Sequence, residues 1–383
     1  MRLLYYSPGS SGGAADCAHE QANALAGQGV EVELLCTSAW RTGRGEKYRV
    51  NPVLLAPRRG SSPRWLRHLV LGRLLLKNIS ILANRIVKGG FHNVLFGAYS
   101  EYLAPLWAAK LRRLAAKGVV FGAVVHDPVR DFQVGPLWWH RRSVAAAYSF
   151  LSHAFVHEAI ELDTVRPMPR LQTTVVPHGP LSFPRASLSG PEVRKQLSLP
   201  LDSKVMLSFG YIRDGKNLDL ILKAMVQFPE LYLLVAGSLS SGSQRPAKYY
   251  QNLAGRLGIA ERCRWVIRFV PDEEIGNLFA ASDLLLLTYN KSFRSASGVL
   301  NTAVFYRKPC LVSSGPGSLA SAVKKFDLGI WVEPDDLDEL KSGIGRWQRQ
   351  PPIPKWEAYE AENSWGRNAE LVIERFNATP DTN

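Results

Sequence analysis

Cysteine is scarce in this sequence of 383 residues, and no apolar run is long enough to cross a membrane. The four cysteines are scattered and form no CxxC pair, which argues against a disulfide framework or a zinc site and favours a reducing cytosol. A bilayer span needs about 20 consecutive apolar residues, but the longest candidate, residues 66–87, is interrupted at five positions by Arg, His or Lys. The N-terminal stretch MRLLYYSPGSSGG predicts a buried strand and a turn rather than a signal peptide, so we expect a cytoplasmic protein.

Acidic residues are also in short supply, since 33 Asp and Glu accompany 47 Lys and Arg and leave a formal net charge of +14. This charge favours a phosphate-rich partner, which can be nucleic acid, an anionic membrane or an anionic ligand. The imbalance is greatest between Arg41 and Arg113, where fifteen basic residues accompany only Glu46 and Glu101. On a helix predicted from 63 to 88, Arg73, Lys77, Arg85 and Lys88 fall near one face, which is typical of a helix that lies on the inner face of a membrane. A solvated basic helix face is the alternative.

The length and the pattern of the chain predict two α/β domains. Short apolar runs alternate with helix-length segments, as in parallel sheets covered by helices. The predicted strands are residues 2–6, 30–36, 94–96, 119–125, 154–156, 174–176, 205–209, 232–236, 263–267, 284–288 and 309–312. The predicted helices are residues 14–28, 63–88, 104–117, 138–152, 218–225, 249–257, 272–281, 297–306, 337–347 and 363–376.

A proline-rich stretch, residues 177–200, separates the two series of strands and predicts a linker. We therefore expect an N-terminal Rossmann-like domain at 1–180, a C-terminal one at 181–355, and a C-terminal segment at 356–383 that packs back toward the first domain. Two doubly wound domains of this kind would face each other across a cleft. Ligands of such sheets bind at the carboxyl ends of the strands.

Two candidate motifs lie at strand ends of the first half. Gly12 and Gly13 follow the first strand and begin a helix, where free backbone N–H groups suit an anion. The motif is short, and an ordinary turn is the alternative. His126 and Asp127 follow a buried strand, where His126 could contact a substrate hydroxyl and Asp127 could orient it or act as a base. Alternatively, Asp127 caps a turn and His126 satisfies a buried backbone group.

The second half offers a stronger pair of motifs. Arg213 and Lys216 follow a buried strand and precede a helix, and both cations suit a diphosphate. A surface salt bridge between Arg213 and Asp214 is the alternative. The loop after the leucine-rich strand leads to a helix at Ser297-Gly298, whose first N–H groups predict a second anion site, although helix capping by serine is an equally ordinary role.

The order of these motifs resembles the C-terminal half of glycosyltransferases with the GT-B fold, in the large family-four group of retaining enzymes. The segments that carry the resemblance are 209–218, 234–237, 269–275, 281–283 and Ser297-Gly298 with Lys308-Pro309. Gly12-Gly13, His126-Asp127 and residues 175–179 agree with the N-terminal half, and the resemblance covers nearly the whole chain.

This resemblance implies specific roles for the candidate residues. The donor nucleotide-sugar, UDP- or GDP-linked, would be held by Arg213, Lys216, Arg268, Phe269, Ser295, Ser297, Gly298 and Val299. Gly12 and Gly13 would lie near donor and acceptor, and His126 near the transferred sugar. The resemblance implies no cofactor and no metal ion, because cations and helix N-termini stabilise the diphosphate.

One departure from the family concerns its paired glutamates, which lie eight positions apart and bind the sugar and the ribose. The corresponding region, from Arg294 to Thr302, contains no acidic residue. We expect a metal-independent hexosyl- or related glycosyltransferase of polysaccharide or glycoconjugate synthesis, with a glycan or lipid-linked acceptor and retention of configuration. A degenerate binding or scaffold subunit, a nucleotide-sugar epimerase and a nucleic-acid binder are the alternatives. An epimerase would need acidic residues in the loop before Ser297, and this loop has none. A nucleic-acid binder would need an RNA-binding motif, which the sequence also lacks.

Overall fold

The structure is a computed structural model that describes residues 1–10, 12–57, 64–97, 101–126, 133, 135–239, 244–294 and 297–378, with the backbone alone at 64–68. The chain forms two compact units. Unit 1 comprises Met1–Gly179 and Asn363–Asn383, and unit 2 comprises Pro180–Glu362.

The described part of unit 1 combines one parallel sheet with helices that connect most of its strands. Its strands are β1 (Arg2–Tyr6), β2 (Glu31–Thr37), β3 (Arg49–Leu54), β4 (Asn93–Phe96), β5 (Val120–Val124), β6 (His153–Val156) and β7 (Gln172–Val175). Its helices are α1 (Gly13–Gly27), α2 (Arg64–Gly89), α3 (Ala104–Ala115) and α4 (Leu137–Tyr148). The strands pair in parallel in the order β3-β2-β1-β4-β5-β6-β7, so the chain reverses its direction of winding between β1 and β4.

The described residues of unit 2 repeat the pattern. Its strands are β8 (Lys204–Phe209), β9 (Leu231–Ala236), β10 (Cys263–Val266), β11 (Leu284–Thr288), β12 (Cys310–Ser313) and β13 (Gly329–Trp331). Its helices are α5 (Gly190–Gln196), α6 (Leu218–Ala224), α7 (Ala247–Arg256), α8 (Asp272–Ala281), α9 (Gly298–Phe305), α10 (Ser318–Phe326), α11 (Leu337–Arg349) and α12 (Trp356–Glu362). The parallel order β10-β9-β8-β11-β12-β13 places the reversal between β8 and β11, which is where ligands of doubly wound sheets usually bind.

The last described helix, α13 (Trp365–Asn377), belongs to unit 1. It packs beside α1 on one face of the sheet, whereas α2, α3 and α4 contribute to the core on the other face. Gly122 in β5 makes room for this helix, because a Cβ atom there would lie 2.9 Å from Cζ of Phe376. Residues 356–362 remain in unit 2, since Trp356 and Tyr359 of α12 are buried in its core. The structure thus divides the chain after Glu362, later than the boundary at 355 expected from the sequence.

The prediction of an α/β fold with two doubly wound parallel sheets is confirmed. Several short elements were not predicted: β3, β13, α5, α10 and α12. The predicted linker at 177–200 contains α5, which begins with a capping box in which the Ser189 N–H donates to Glu192 Oε2 at 2.8 Å. In the part of the chain that is described, no helix is long and apolar enough to cross a membrane.

Candidate functional site

Lys216 forms the buried centre of a candidate site at the carboxyl end of β8. Its side chain is only 7% exposed, and its Nζ atom donates a hydrogen bond to the Phe209 carbonyl at 2.5 Å. A Cβ atom on Gly210 would lie 3.4 Å both from Lys216 Nζ and from Cγ2 of Val299. The ammonium group therefore lies where the end of β8 approaches the first turn of α9.

Two glycines allow the strand ends to come together at this point. Gly210 has a φ of +89° and Gly237, just after β9, has a φ of +152°, both in the region that side chains disfavour. A Cβ atom on Gly237 would lie 1.9 Å from the Gly210 carbonyl oxygen, which leaves no room for a side chain.

Arg213 lies beside Lys216 and rests on two aromatic rings of the loop after β11. Its guanidinium carbon is 5.5 Å from the ring centre of Tyr289 and 5.4 Å from that of Phe293. The two rings stack at 3.9 Å, so they support the guanidinium with a cation–π contact. Neither ring was assigned a role from the sequence, because the contact joins loops that are distant along the chain.

The two cations have no carboxylate partner among the described residues, where no ion pair of Arg213 or Lys216 is found. The adjacent Asp214 instead accepts a hydrogen bond from the Tyr250 hydroxyl at 2.7 Å and lies 3.7 Å from Arg245. The predicted alternative of an Arg213–Asp214 salt bridge is therefore not observed. Burial, together with the charge of Arg213, lowers the pKa of Lys216 from 10.5 to about 7.

The N-terminus of α9 supplies a second set of donors next to these cations. Ser297 is the N-cap residue, and its hydroxyl accepts from the Leu300 N–H at 3.3 Å and lies 3.1 Å from the Tyr289 hydroxyl. Capping therefore uses the Leu300 N–H, whereas the N–H groups of Gly298 and Val299 have no acceptor within the helix. Among the described residues, and apart from its chain neighbours and its own helix backbone, no atom lies within 4 Å of a Cβ built on Gly298. Ser295 lies outside the described residues.

Arg268 and Phe269 follow β10, which β9 separates from β8. Arg268 forms an ion pair with Glu274 at 2.5 Å, and the Phe269 side chain is 53% exposed. Neither contacts Arg213 or Lys216 in the described part of the chain. Their position beside the nucleotide base therefore stays a prediction.

The region without acidic residues, from Arg294 to Thr302, contributes neutral polar side chains at Asn301 and Thr302. Asn301 is buried and accepts a hydrogen bond from the Tyr359 hydroxyl at 2.8 Å. The Thr302 hydroxyl donates to the Gly298 carbonyl at 3.1 Å. Asp336 and Asp338 have the DxD spacing of some metal-binding transferases, but Asp336 caps α11. Within the described residues, no group of three or more His, Cys, Asp and Glu side chains could hold a metal ion.

The candidate residues of unit 1 lie at the carboxyl edge of its own sheet. Gly12 is the N-cap residue of α1 with a φ of +82°. Apart from chain neighbours and the backbone of α1, no atom of the described residues lies within 4 Å of a Cβ built on Gly12 or Gly13. His126 follows β5, and its Nε2 atom lies 3.0 Å from the Gly97 carbonyl oxygen, as expected from the alternative that it satisfies a backbone group. Asp127 lies outside the described residues.

Two further histidines, which sequence reasoning left without a role, continue from His126 along this edge. The His157 ring lies 5.5 Å from that of His126 and 4.9 Å from that of His178. Burial holds the pKa of His157 well below its usual value and lowers that of His178 to about 4. Both rings are therefore neutral near pH 7, and one follows each of the strands β6 and β7.

Comparison with known proteins agrees with this geometry. Residues 190–372 match the model of the family described as "Glycosyl transferases group 1". The D-inositol 3-phosphate glycosyltransferase of Streptomyces griseus is 29% identical over 213 residues, which cover 52% of this chain and 42% of that protein. The enzyme of the same name from Mycobacterium tuberculosis is 30% identical over 193 residues, covering 49% of this chain and 34% of that protein. The chain thus spans less than half the length of the curated relatives it matches.

Solved structures match the whole chain. Sucrose-phosphate synthase from Thermosynechococcus elongatus aligns with a TM-score of 0.69 at 17% identity, covering 99% of this chain and 100% of that one. The Anabaena protein HepE, in complex with UDP and glucose, aligns with a TM-score of 0.71 at 16% identity over the same shares. These matches identify the fold as GT-B.

Proposed function

We propose that this chain, which has the GT-B fold and whose residues 190–372 belong to the glycosyl transferases group 1 family, transfers a sugar from a nucleoside diphosphate sugar. One observation carries the proposal: a buried lysine and an adjacent arginine, without a carboxylate partner among the described residues, lie at the N-terminus of α9. A buried charge is costly unless a counter-charge reaches it. A diphosphate would supply that charge.

The leaving group explains why cations are useful at this place. When the bond between sugar and phosphate breaks, negative charge develops on the diphosphate, and preorganised donors stabilise it in the transition state. Lys216 supplies a compact charge, Arg213 a fork of N–H donors, and Gly298 and Val299 the free N–H groups of a helix N-terminus. These groups supply the charge stabilisation that a metal ion supplies elsewhere, so we propose transfer without a metal ion or cofactor.

UDP is the first nucleotide to test and GDP the second. HepE and the trehalose-6-phosphate protein of E. coli, which share the fold, carry UDP and UDP-2-fluoro glucose in their solved structures. Phe269 is exposed at the carboxyl end of β10 and offers a flat apolar surface near which a base could lie. This supports the proposed place of the base beside Arg268 and Phe269.

On the acceptor side, we propose that His126 contacts the transferred sugar and that Gly12 and Gly13 border the acceptor. The open space beside both glycines supports this proposal. The contact of its Nε2 atom with the Gly97 carbonyl at 3.0 Å holds the His126 ring in a defined orientation at this edge of the sheet. We further propose that configuration is retained and that the acceptor is a glycan or a lipid-linked glycan of polysaccharide or glycoconjugate synthesis.

The exposed surface of α2 supports our proposal that the protein is cytoplasmic and binds the inner face of a membrane. Arg73, Lys77 and Lys88 are exposed, as are the apolar side chains of Leu69 and Val87. Arg85, by contrast, forms an ion pair with Glu33 at 2.5 Å and is half-buried, so it belongs to the fold rather than to this face. Basic and apolar side chains together suit an anionic lipid surface.

A binding or scaffold subunit without activity is the second candidate. The absence of acidic residues from Arg294 to Thr302, where the family resemblance implies paired glutamates, favours it. Such a protein would bind a nucleotide diphosphate through Lys216 without releasing it from a sugar.

Thermal-shift measurements with UDP, GDP and their hexose conjugates test the proposal. A ligand that binds only the folded state raises the melting temperature. We expect a shift with one of the two nucleotides, no shift in the variant R213A/K216M, and a normal shift in K308M. Lys308 is also a partly buried lysine that donates to a backbone carbonyl, but it lies outside both loops. Absence of any shift in the wild type would contradict the proposal.

A further inference from the structure

Asp335 lies between β13 and α11 and connects the two loops that carry the cations and their aromatic support. We propose that Asp335 is a positioning residue that fixes the loop after β8 against the loop after β11, and so sets the geometry of the diphosphate site. This inference depends on the proposed function of that site. No motif in the sequence singled out Asp335.

Both carboxylate oxygens of Asp335 are used, one for each loop. Asn217, which follows Lys216 directly, donates from Nδ2 to Oδ1 at 2.8 Å. The backbone N–H of Lys291 donates to Oδ2 at 2.9 Å, and Lys291 lies between the two rings that support Arg213, those of Tyr289 and Phe293. A single side chain, 118 residues from Asn217, therefore connects Lys216 to the support of Arg213.

Other bonds between the same loops show that their relative position is defined. The Asn290 N–H donates to the Gly215 carbonyl at 2.9 Å, and the Thr288 hydroxyl donates to the Lys216 carbonyl at 2.9 Å. A third segment approaches the loop after β11 so closely that a Cβ on Gly315 would lie 2.2 Å from the Lys291 carbonyl oxygen. Loss of Asp335 should therefore loosen the site without destroying it.

The backbone of Asp335 makes it possible to separate positioning from stability. Its φ is +63°, in the left-handed region that glycine adopts most readily. D335G therefore removes both hydrogen bonds while relieving the backbone. A residue with only a structural role would lose stability and binding together, whereas a positioning residue would lose binding alone.

Asp327 provides a matched control. It also has a positive φ, +54°, and lies in unit 2, at the C-terminus of α10. Its carboxylate pairs with Lys355 at 2.6 Å and has no contact with either cation loop among the described residues. D327G thus makes the same chemical change in the same backbone conformation, away from the site.

The experiment measures the dissociation constants of UDP and GDP by calorimetry, together with melting temperatures. For D335G we expect about tenfold weaker binding at an unchanged or higher melting temperature, and for D327G wild-type binding. Hydrogen exchange of the Lys291 amide should be faster in D335G than in the wild type, and unchanged in D327G. N217G should weaken binding less, and N217G/D335G no more than D335G, because the two residues share one bond.

The outcomes separate the two proposals. Wild-type affinity and Lys291 exchange in D335G would overturn the positioning role while leaving the diphosphate site intact. A lower melting temperature in D335G, in proportion to its loss of binding, would also overturn it. If the wild type binds neither UDP nor GDP, the proposed function fails, and this inference fails with it.

Discussion

Binding of a nucleoside diphosphate should be accompanied by uptake of a proton at Lys216. Without ligand, the pKa of Lys216 is about 7, so at pH 8 about a tenth of the molecules carry a charged lysine. A bound diphosphate places negative charge beside Nζ and restores a pKa near the ordinary 10.5. At pH 8 the complex should therefore take up about 0.9 proton per nucleotide.

The change in the pKa of Lys216 on binding also determines how the affinity for UDP depends on pH. Between about pH 7 and pH 10 the free protein must first bind a proton, so the dissociation constant of UDP should rise about tenfold per pH unit. Below pH 7, Lys216 is already charged and this dependence should vanish. A second pKa of a phosphate group lies near 6, so UDP itself contributes little at pH 8.

Calorimetry in two buffers of different ionisation enthalpy measures the proton number directly. K308M should take up the same number of protons as the wild type, because Lys308 lies outside the site. R213A should bind more weakly and take up fewer protons than the wild type, because loss of the Arg213 charge raises the pKa of Lys216 in the free protein. Binding of UDP at pH 8 without proton uptake, or with the same affinity at pH 7 and pH 9, would refute the assigned role of Lys216.

The pH dependence of the unfolding free energy tests, without a ligand, whether the pKa of Lys216 is lowered by burial. The folded-state pKa of Lys216 is depressed, so between pH 7 and pH 10.5 the unfolded chain binds more protons and stability should rise with pH. The shift corresponds to an upper bound of about 5 kcal/mol. K216M should remove this dependence and be more stable than the wild type at pH 6, as measured by urea unfolding. A less stable K216M with the same pH dependence would show that Lys216 is not a buried charge.

Two further predictions concern the strand ends and the surface. G237A should destabilise unit 2 by about 2 to 4 kcal/mol in urea unfolding, because its Cβ would collide with the Gly210 carbonyl, whereas G255A, with open space in α7, should be neutral or stabilising. R73E/K77E should reduce sedimentation with anionic vesicles at least severalfold and leave sedimentation with zwitterionic vesicles unchanged. Equal binding of this variant to anionic vesicles would exclude α2 as the membrane face.

The sequence predicts the architecture well where apolar runs are long and regular. The leucine-rich β11 and the strand before Gly210 are near-continuous apolar segments, which is typical of strands buried on both faces. β3 was missed because it is an edge strand of mixed polarity that contains Pro52. β13 has three residues, too few for a pattern. α5 was missed because it lies in the proline-rich stretch, although Ser189 and Glu192 form a capping box, which indicates a helix N-terminus.

The residue types of the site were predictable, but its electrostatics was not. Arg213 and Lys216 follow a predicted strand, so their place at the carboxyl edge could be inferred. The burial of Lys216 depends on the approach of Gly210 and Val299, which is a tertiary contact. The hydrogen bond between the Tyr250 hydroxyl and Asp214 likewise joins residues 36 positions apart, so no local sequence pattern indicates it. Without these contacts, the sequence could not show that the two cations lack a carboxylate partner.

The most direct test of the account is release of nucleotide from a donor sugar. Purified wild type, R213A/K216M and K308M are incubated with UDP- and GDP-hexoses and a detergent extract of membrane lipids and glycans, and free UDP or GDP is measured. We predict release by the wild type and by K308M, and none above background by R213A/K216M, at a melting temperature no lower than that of the wild type. Release by R213A/K216M at the wild-type rate, or none by the wild type from any donor, would contradict the account.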